Sequence, residues 1–140
     1  MQPLYHLPCF LLDNFKKIND TLGHAVGDRV LKGLSVIVAE AIREHDIFGR
    51  LGGEEFILLM PQTGRIGAMD AGERIRLILK SALRHITDDK ELISPTVSIG
   101  VTSVEGFDID LNLDELIKVA EEAMHKAKVA GRNCVRYKSY

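Results

Sequence analysis

Several features that would narrow the function of this chain are missing from it. No apolar run comes near the ~20 residues of a membrane-spanning helix, and the first residues lack the basic start, apolar core and small-residue cleavage site of a secretory leader. Neither sign of charge dominates. Against 18 Lys and Arg stand 20 Asp and Glu, a net charge of −2, so the basic signature of a nucleic-acid binder is absent. There are only two cysteines, Cys9 and Cys134, one near each end in an apolar, strand-like context. They are expected to be reduced core thiols rather than a disulfide, and they form no metal-ligand cluster. No repeat or low-complexity tract occurs. The expectation is a cytoplasmic protein with no membrane segment and a single domain over residues 1–140, long enough to bury a core. Its 46% hydrophobic and 27% charged residues are ordinary for a globular chain.

What is present is a regular alternation of strand and helix patterns. After a short loose start, residues 7–12 are continuously apolar, as in a central strand buried on both faces. Asn14 suits the N-cap of a short helix over 15–22. A second helix over 26–43 carries Val30, Leu31, Leu34, Ile37, Val38, Ala41 and Ile42 at helical spacing. Residues 46–51 and 55–60 read as two arms of a hairpin. A helix over 66–85 carries Ile75, Leu77, Ile78, Leu79 and Leu83, and 87–91 reads as a polar turn. Residues 95–104 alternate and are rich in Val, Thr and Ile, which favours a strand. A loop over 105–112 leads to a helix over 113–130, with Asp114 and Glu115 early and Lys126 and Lys128 late, as the helix dipole favours. Gly131 stops it, and 133–137 reads as a last short strand. The order β-α-α-β-β-α-β-α-β predicts an α/β fold of palm-like α+β type. It implies a mixed sheet of about five strands with flanking helices, a ferredoxin-like variant with a hairpin in mid-chain.

The hairpin is the centre of interest. Gly52 and Gly53 make the corner, and Glu54 and Glu55 follow directly. Paired glycines let a backbone approach something bulky. Acids at such a tip suit a phosphate-bearing ligand with a divalent cation. The same residues also fit an ordinary hairpin with a polar turn. Successive strand residues point to opposite faces, so the two acids cannot both face inward.

Five motifs occur in one order: Phe15-Lys16-Lys17-Ile18-Asn19-Asp20; Gly23-His24 with Gly27-Asp28; Gly52-Gly53-Glu54-Glu55-Phe56; Ser98-Ile99-Gly100; and Ala127-Lys128 with Gly131-Arg132-Asn133. Together they resemble the GGDEF family, the diguanylate cyclases, in its GGEEF variant. The likeness covers about residues 7–137. It implies a nucleotidyl-cyclase fold and a transferase that joins two GTP molecules into cyclic di-GMP with Mg2+ or Mn2+. It also implies bacterial second-messenger signalling by a homodimer, ligand-mediated in one version, under an unidentified regulatory domain or partner. Asn19 and Asp28 would hold the guanine edge. Lys16, Lys128 and Arg132 would meet the triphosphate. Glu54 and the backbone carbonyl of Leu12 would ligate the cation, with Glu54 also a candidate base for the 3′-hydroxyl and Glu55 a second acid of the site. Arg43-Glu44-His45-Asp46 matches the family's Arg-x-x-Asp inhibitory site for cyclic di-GMP, with Arg74 as its second arginine. Lys128 and Arg132, four apart, would share a helix face if the helix persists.

Three departures qualify the likeness. The family's Asp-x-Asp-x-Phe-Lys is here Leu11-Leu12-Asp13-Asn14-Phe15-Lys16, so Leu11 replaces a carboxylate ligand. Asp13 is expected to reach the cation through water at best. The cation is then weakly bound, and activity is expected to be reduced. The alternative is a catalytically weak or inactive domain that binds cyclic di-GMP as a signalling module. The family's upstream helix and its Asp-x-Leu-Thr motif do not occur, as in a truncated chain. His125 replaces a usual Tyr, with a packing change as the only expected effect.

Overall fold

The computed structural model describes residues 5–84, 86, 95–104 and 112–140. Its elements run β1 (Tyr5–Leu12), α1 (Phe15–Leu22), α2 (His24–Ala41), β2 (Ile47–Gly52), β3 (Glu55–Pro61), α3 (Arg65–Leu83), β4 (Val97–Val104), α4 (Leu113–Val129) and β5 (Val135–Tyr137). The strands form one sheet in the order β2-β3-β1-β4-β5. β1 is central and antiparallel to both β3 and β4, while β4 and β5 are parallel with α4 as the crossover between them. The predicted turn at 87–91 and most of the predicted loop at 105–112 lie outside the described residues.

Helix stripes and strand faces explain the layers. On α2, Val30, Leu31, Leu34 and Val38 are buried, a spacing that keeps one face inward. On α3 the buried positions are Ala68, Ala71, Gly72, Ile75, Leu79 and Leu83. Leu77 and Ile78, which the same helix carries, are 51% and 38% exposed. At about 100° per residue, Leu77 lies on the far side of the helix from Ile75, whereas Ile78 is only about 60° away and sits at the edge of the inward face. Every residue of β4 is buried, so the predicted alternation does not separate core from solvent there. The strand is covered on one face by α3 and on the other by α4. Each fully buried Leu, Ile or Phe in this core contributes about 1.5–3 kcal/mol relative to exposure. Phe56 of the hairpin is one, 1% exposed and stacked against Phe48 across β2 and β3 at 5.7 Å between ring centroids.

Candidate active site

The sheet brings one end of β1, the start of α1, the hairpin tip and the end of α4 together. Leu12 closes β1, and its N–H donates to the Glu54 carbonyl at 3.1 Å, which docks the tip of the hairpin beside β1. Gly53 at the corner has φ 52°, a left-handed conformation that glycine takes without a steric penalty. Arg50 braces the same corner, with its Nε donating to the Gly53 carbonyl at 2.8 Å and its Nη2 to the same oxygen. Between these parts lies a cleft of about 410 Å³, lined by Leu12, Lys16, Glu54, Lys128 and Arg132 among others. Five of the residues expected to meet triphosphate and cation thus converge from distant parts of the chain.

Local details differ from expectation. Asn14 precedes α1, but its side chain makes no cap; its backbone is left-handed at φ 58° and turns the chain into the helix. The first-turn residues Asn14, Phe15, Lys16 and Lys17 line the cleft, where helix N–H groups favour anions. α4 ends at Val129, so Lys128 and Arg132 share the cleft through the turn that follows, not through a continuing helix face.

The acids separate. Glu54 lines the cleft, and burial raises its pKa, with Lys128 opposing that shift and Asp13 adding to it. Glu55 faces Glu121 of α4 instead; one of its carboxyl oxygens is buried without a hydrogen-bond partner. Its pKa is pushed up to about 7, by burial first, then by the hydrogen bond with Glu121 and that group's charge, against the pull of Lys128. Asp13 is 1% exposed. It accepts from Ser98 Oγ at 2.6 Å, Thr96 Oγ1 at 2.9 Å and the Asn133 N–H at 3.1 Å. Its carboxylate is engaged by the protein, which gives it a bracing role at the edge of the cleft that it also lines. Ser98-Ile99-Gly100 is likewise structural. Ser98 bonds Asp13, Ile99 is core, and a Cβ at Gly100 would lie 2.2 Å from the α4 backbone.

Among the described residues, no group of three or more His, Cys, Asp and Glu converges as a metal cage. The donor set that fits a hard cation in the cleft is the Glu54 carboxylate with the Leu12 carbonyl. That is enough for a magnesium-type ion only when substrate phosphates complete its shell.

Asn19 and Asp28 lie beside this cleft rather than in it. Asn19 packs at the seam of α1 and α2, where a Cβ at Gly27 would lie 1.8 Å from its Oδ1. That Oδ1 is buried and has no hydrogen-bond partner. The next residue, Asp28, is exposed and lines a cavity of about 260 Å³ with Leu31, Lys32, Ser35 and Arg50. Sequence reasoning passed over Arg50. Its place three residues before Gly53 was the available signal, and only the fold shows that it joins the hairpin tip to the Asp28 cavity.

The Arg-x-x-Asp corner is built differently. α2 ends at Ala41, so Arg43 lies beyond the helix, which was expected to include it. Its side chain is 52% exposed, whereas that of Asp46 is 1% exposed, so only one of the two faces solvent as expected. Asp46 accepts from the Arg43 backbone N–H at 2.9 Å and from its guanidinium at 3.0 Å. Arg43 also donates to the Pro61 carbonyl at 3.2 Å and to Thr63 Oγ1. Arg74 reaches the same end of α2, donating to the Ala41 carbonyl at 3.3 Å. A cavity of about 330 Å³ opens here beside Arg43, His45, Pro61 and Gln62.

Comparison with known proteins places this architecture. The family described as "Diguanylate cyclase, GGDEF domain" matches residues 6–134. The chain belongs to that family. It is similar to the response regulator PleD of Caulobacter vibrioides, 40% identical over 124 residues, which are 89% of this chain and 27% of PleD. It is as similar to diguanylate cyclase A of Treponema denticola, 40% identical over 89% of this chain and 32% of that protein. The chain thus spans about a third or less of the length of these relatives. Among solved structures, the GGDEF domain of DgcB from Caulobacter crescentus, in complex with c-di-GMP, superposes with a TM-score of 0.85 at 26% identity, covering 96% of this chain and 78% of that one. The active GGEEF domain of a diguanylate cyclase from Vibrio cholerae does so with a TM-score of 0.82 at 32% identity, covering 97% and 83%. No helix among the described residues is long and apolar enough to cross a membrane.

Proposed function

We propose that this domain binds GTP in the cleft beside β1 and condenses two GTP molecules into cyclic di-GMP at a reduced rate, with Mg2+ or Mn2+. The observation that carries the reading is the convergence of Lys16, Lys128 and Arg132 around Glu54 and Leu12, at the start of α1. Cationic side chains and helix N–H groups facing one cleft attract a polyphosphate. The unpartnered Asn19 Oδ1 is an acceptor waiting for a donor, and the guanine edge offers N–H donors. Asp28 would accept from the same edge.

The chemistry follows from these placements. The 3′-hydroxyl of one GTP attacks the α-phosphorus of the other, a P–O bond forms, and diphosphate leaves; a second such step closes the ring. Each chain offers one guanine site, so two chains face each other with one GTP apiece. Glu54, the carboxylate in the cleft, takes the hydroxyl proton. Lys16, Lys128 and Arg132 hold the departing diphosphate. A cation on Glu54 and the Leu12 carbonyl would add charge stabilisation at the transferring phosphoryl group. Leu11 supplies no second carboxylate, and by analogy with losing one preorganised group the rate falls by about 10²–10³.

Leu11 also favours a second reading, a binding module that holds cyclic di-GMP at Arg43, Asp46 and Arg74 and reports to a partner. The likeness to a domain solved with c-di-GMP supports it. Incubation with GTP and Mg2+, with chromatography of cyclic di-GMP and Glu54→Gln as the blank, tests the first reading. GTP binding without product, with cyclic di-GMP bound at the corner, selects the second. Binding of neither nucleotide overturns both.

A further inference from the structure

The link between α4 and β5 takes a conformation that side chains resist. Gly131, Arg132 and Asn133 have φ of 114°, 65° and 47°, three positive values in a row. Glycine takes such values freely and asparagine tolerates them, but arginine meets a steric penalty there. The turn is therefore held from outside. The helix end supplies two bonds, from the Gly131 N–H to the Lys128 carbonyl at 3.2 Å and from the Arg132 N–H to the Ala127 carbonyl at 3.0 Å.

Asn133 is gripped from two further sides. Its N–H donates to Asp13 Oδ2 at 3.1 Å, and its side-chain oxygen accepts from Arg76 Nη1 at 2.8 Å. Both grips are themselves braced. Asp13 is buried and bonded to Thr96 and Ser98. Arg76 is held by Glu73, one helical turn earlier on α3, with Nε donating at 2.9 Å. Arg76 does not line the cleft, whereas Arg132, the residue next to Asn133, does.

We infer that Arg76 and Asp13 are positioning residues that clamp Asn133 and so hold the left-handed turn that carries Arg132 into the phosphate end of the cleft. The inference rests on the reading of that cleft as a polyphosphate site. With the clamp open, residues 132 and 133 relax toward negative φ and the Arg132 guanidinium leaves the cleft. The loss falls on phosphate binding alone, because Asn19 and Asp28 belong to α1 and α2.

A double-mutant cycle tests this. The probes are a GTP analogue with a methylene bridge between the α and β phosphorus atoms, and GMP, each titrated calorimetrically with Mg2+ into wild type, Arg76→Ala, Arg132→Ala and the double variant. Arg76→Ala is expected to weaken the triphosphate analogue by about three- to tenfold, the size of one hydrogen bond. GMP affinity stays unchanged, and in the Arg132→Ala background the Arg76 change adds nothing. Arg76→Lys, which keeps a donor, recovers part of the loss. Undiminished affinity in Arg76→Ala, or an equal loss with and without Arg132, overturns the positioning role while the cleft stands. An Arg132→Ala variant that binds the analogue as wild type does removes the polyphosphate reading and the clamp together.

Discussion

The cleft and the Arg43 corner are both basic, but their charges are in different states. In the cleft, the side chains of Lys16, Lys128 and Arg132 make no hydrogen bond or ion pair among the described residues, and Glu54 is half-buried beside them. At the corner, Arg43 donates to Asp46, Pro61 and Thr63, and Asp46 is turned inward. A cation bonded only to water gives up water alone when it binds an anion. A satisfied one must exchange partners, so the net gain is the small difference between two sets of bonds. The cations of the cleft are therefore open to an anion, whereas a ligand at the corner would have to replace what Arg43 already has.

The largest expected effect tests whether the cleft lacks only a carboxylate. Leu11→Asp should raise Mg2+-dependent formation of cyclic di-GMP by about 10²–10³, read by product chromatography across a Mg2+ titration. Glu54→Gln should abolish product in either background. A wild-type chain that already matches Leu11→Asp would show that the cleft is complete without that acid.

Guanine recognition comes next. Asn19→Ala and Asp28→Ala should each weaken GTP binding by about 1–3 kcal/mol, with the exposed Asp28 at the lower end. ATP binding, weak from the start, should barely move; equal losses for both nucleotides would reassign the pair to folding.

A smaller effect is expected at the corner, because bonds there are exchanged. Arg43→Ala should weaken cyclic di-GMP by about 1–2 kcal/mol, and added salt should weaken it further in the wild type. Thr63→Val, which removes one existing partner of Arg43, should strengthen binding. If calorimetry shows Thr63→Val and wild type alike, the contrast between open and satisfied cations does not govern affinity.

The smallest effect is on stability. Glu55 has a folded pKa of about 7 against an ordinary 4.5, so the folded state favours its protonated form. That contribution is full below the ordinary value and is lost as pH rises through about 7. Melting temperature should therefore fall across that window, and Glu121→Gln, which removes the facing charge, should flatten the fall. An unchanged slope would separate the shift from Glu121.

The nine elements among the described residues were legible in order because each is a local pattern of period 3.6 or 2. Which apolar residues of α3 face inward was less legible, since Leu77 and Ile78 stand beside buried Leu79 in sequence and are exposed. The cleft residues were legible by motif. The bracing of the hairpin tip by Arg50 was not, nor was the inward turn of Asp46, since both depend on what the fold sets beside them.

By itself, the sequence determined the family and the element order, because motif spacing and hydrophobic period are properties of neighbours along the chain. Only the tertiary structure decided which charges are free. Asp13 looks like a spare acid near a cation site until its partners arrive from 83, 85 and 120 residues away. A hydrogen bond consumes an acceptor whatever its separation in sequence, so the state of a carboxylate is set only when the sheet closes.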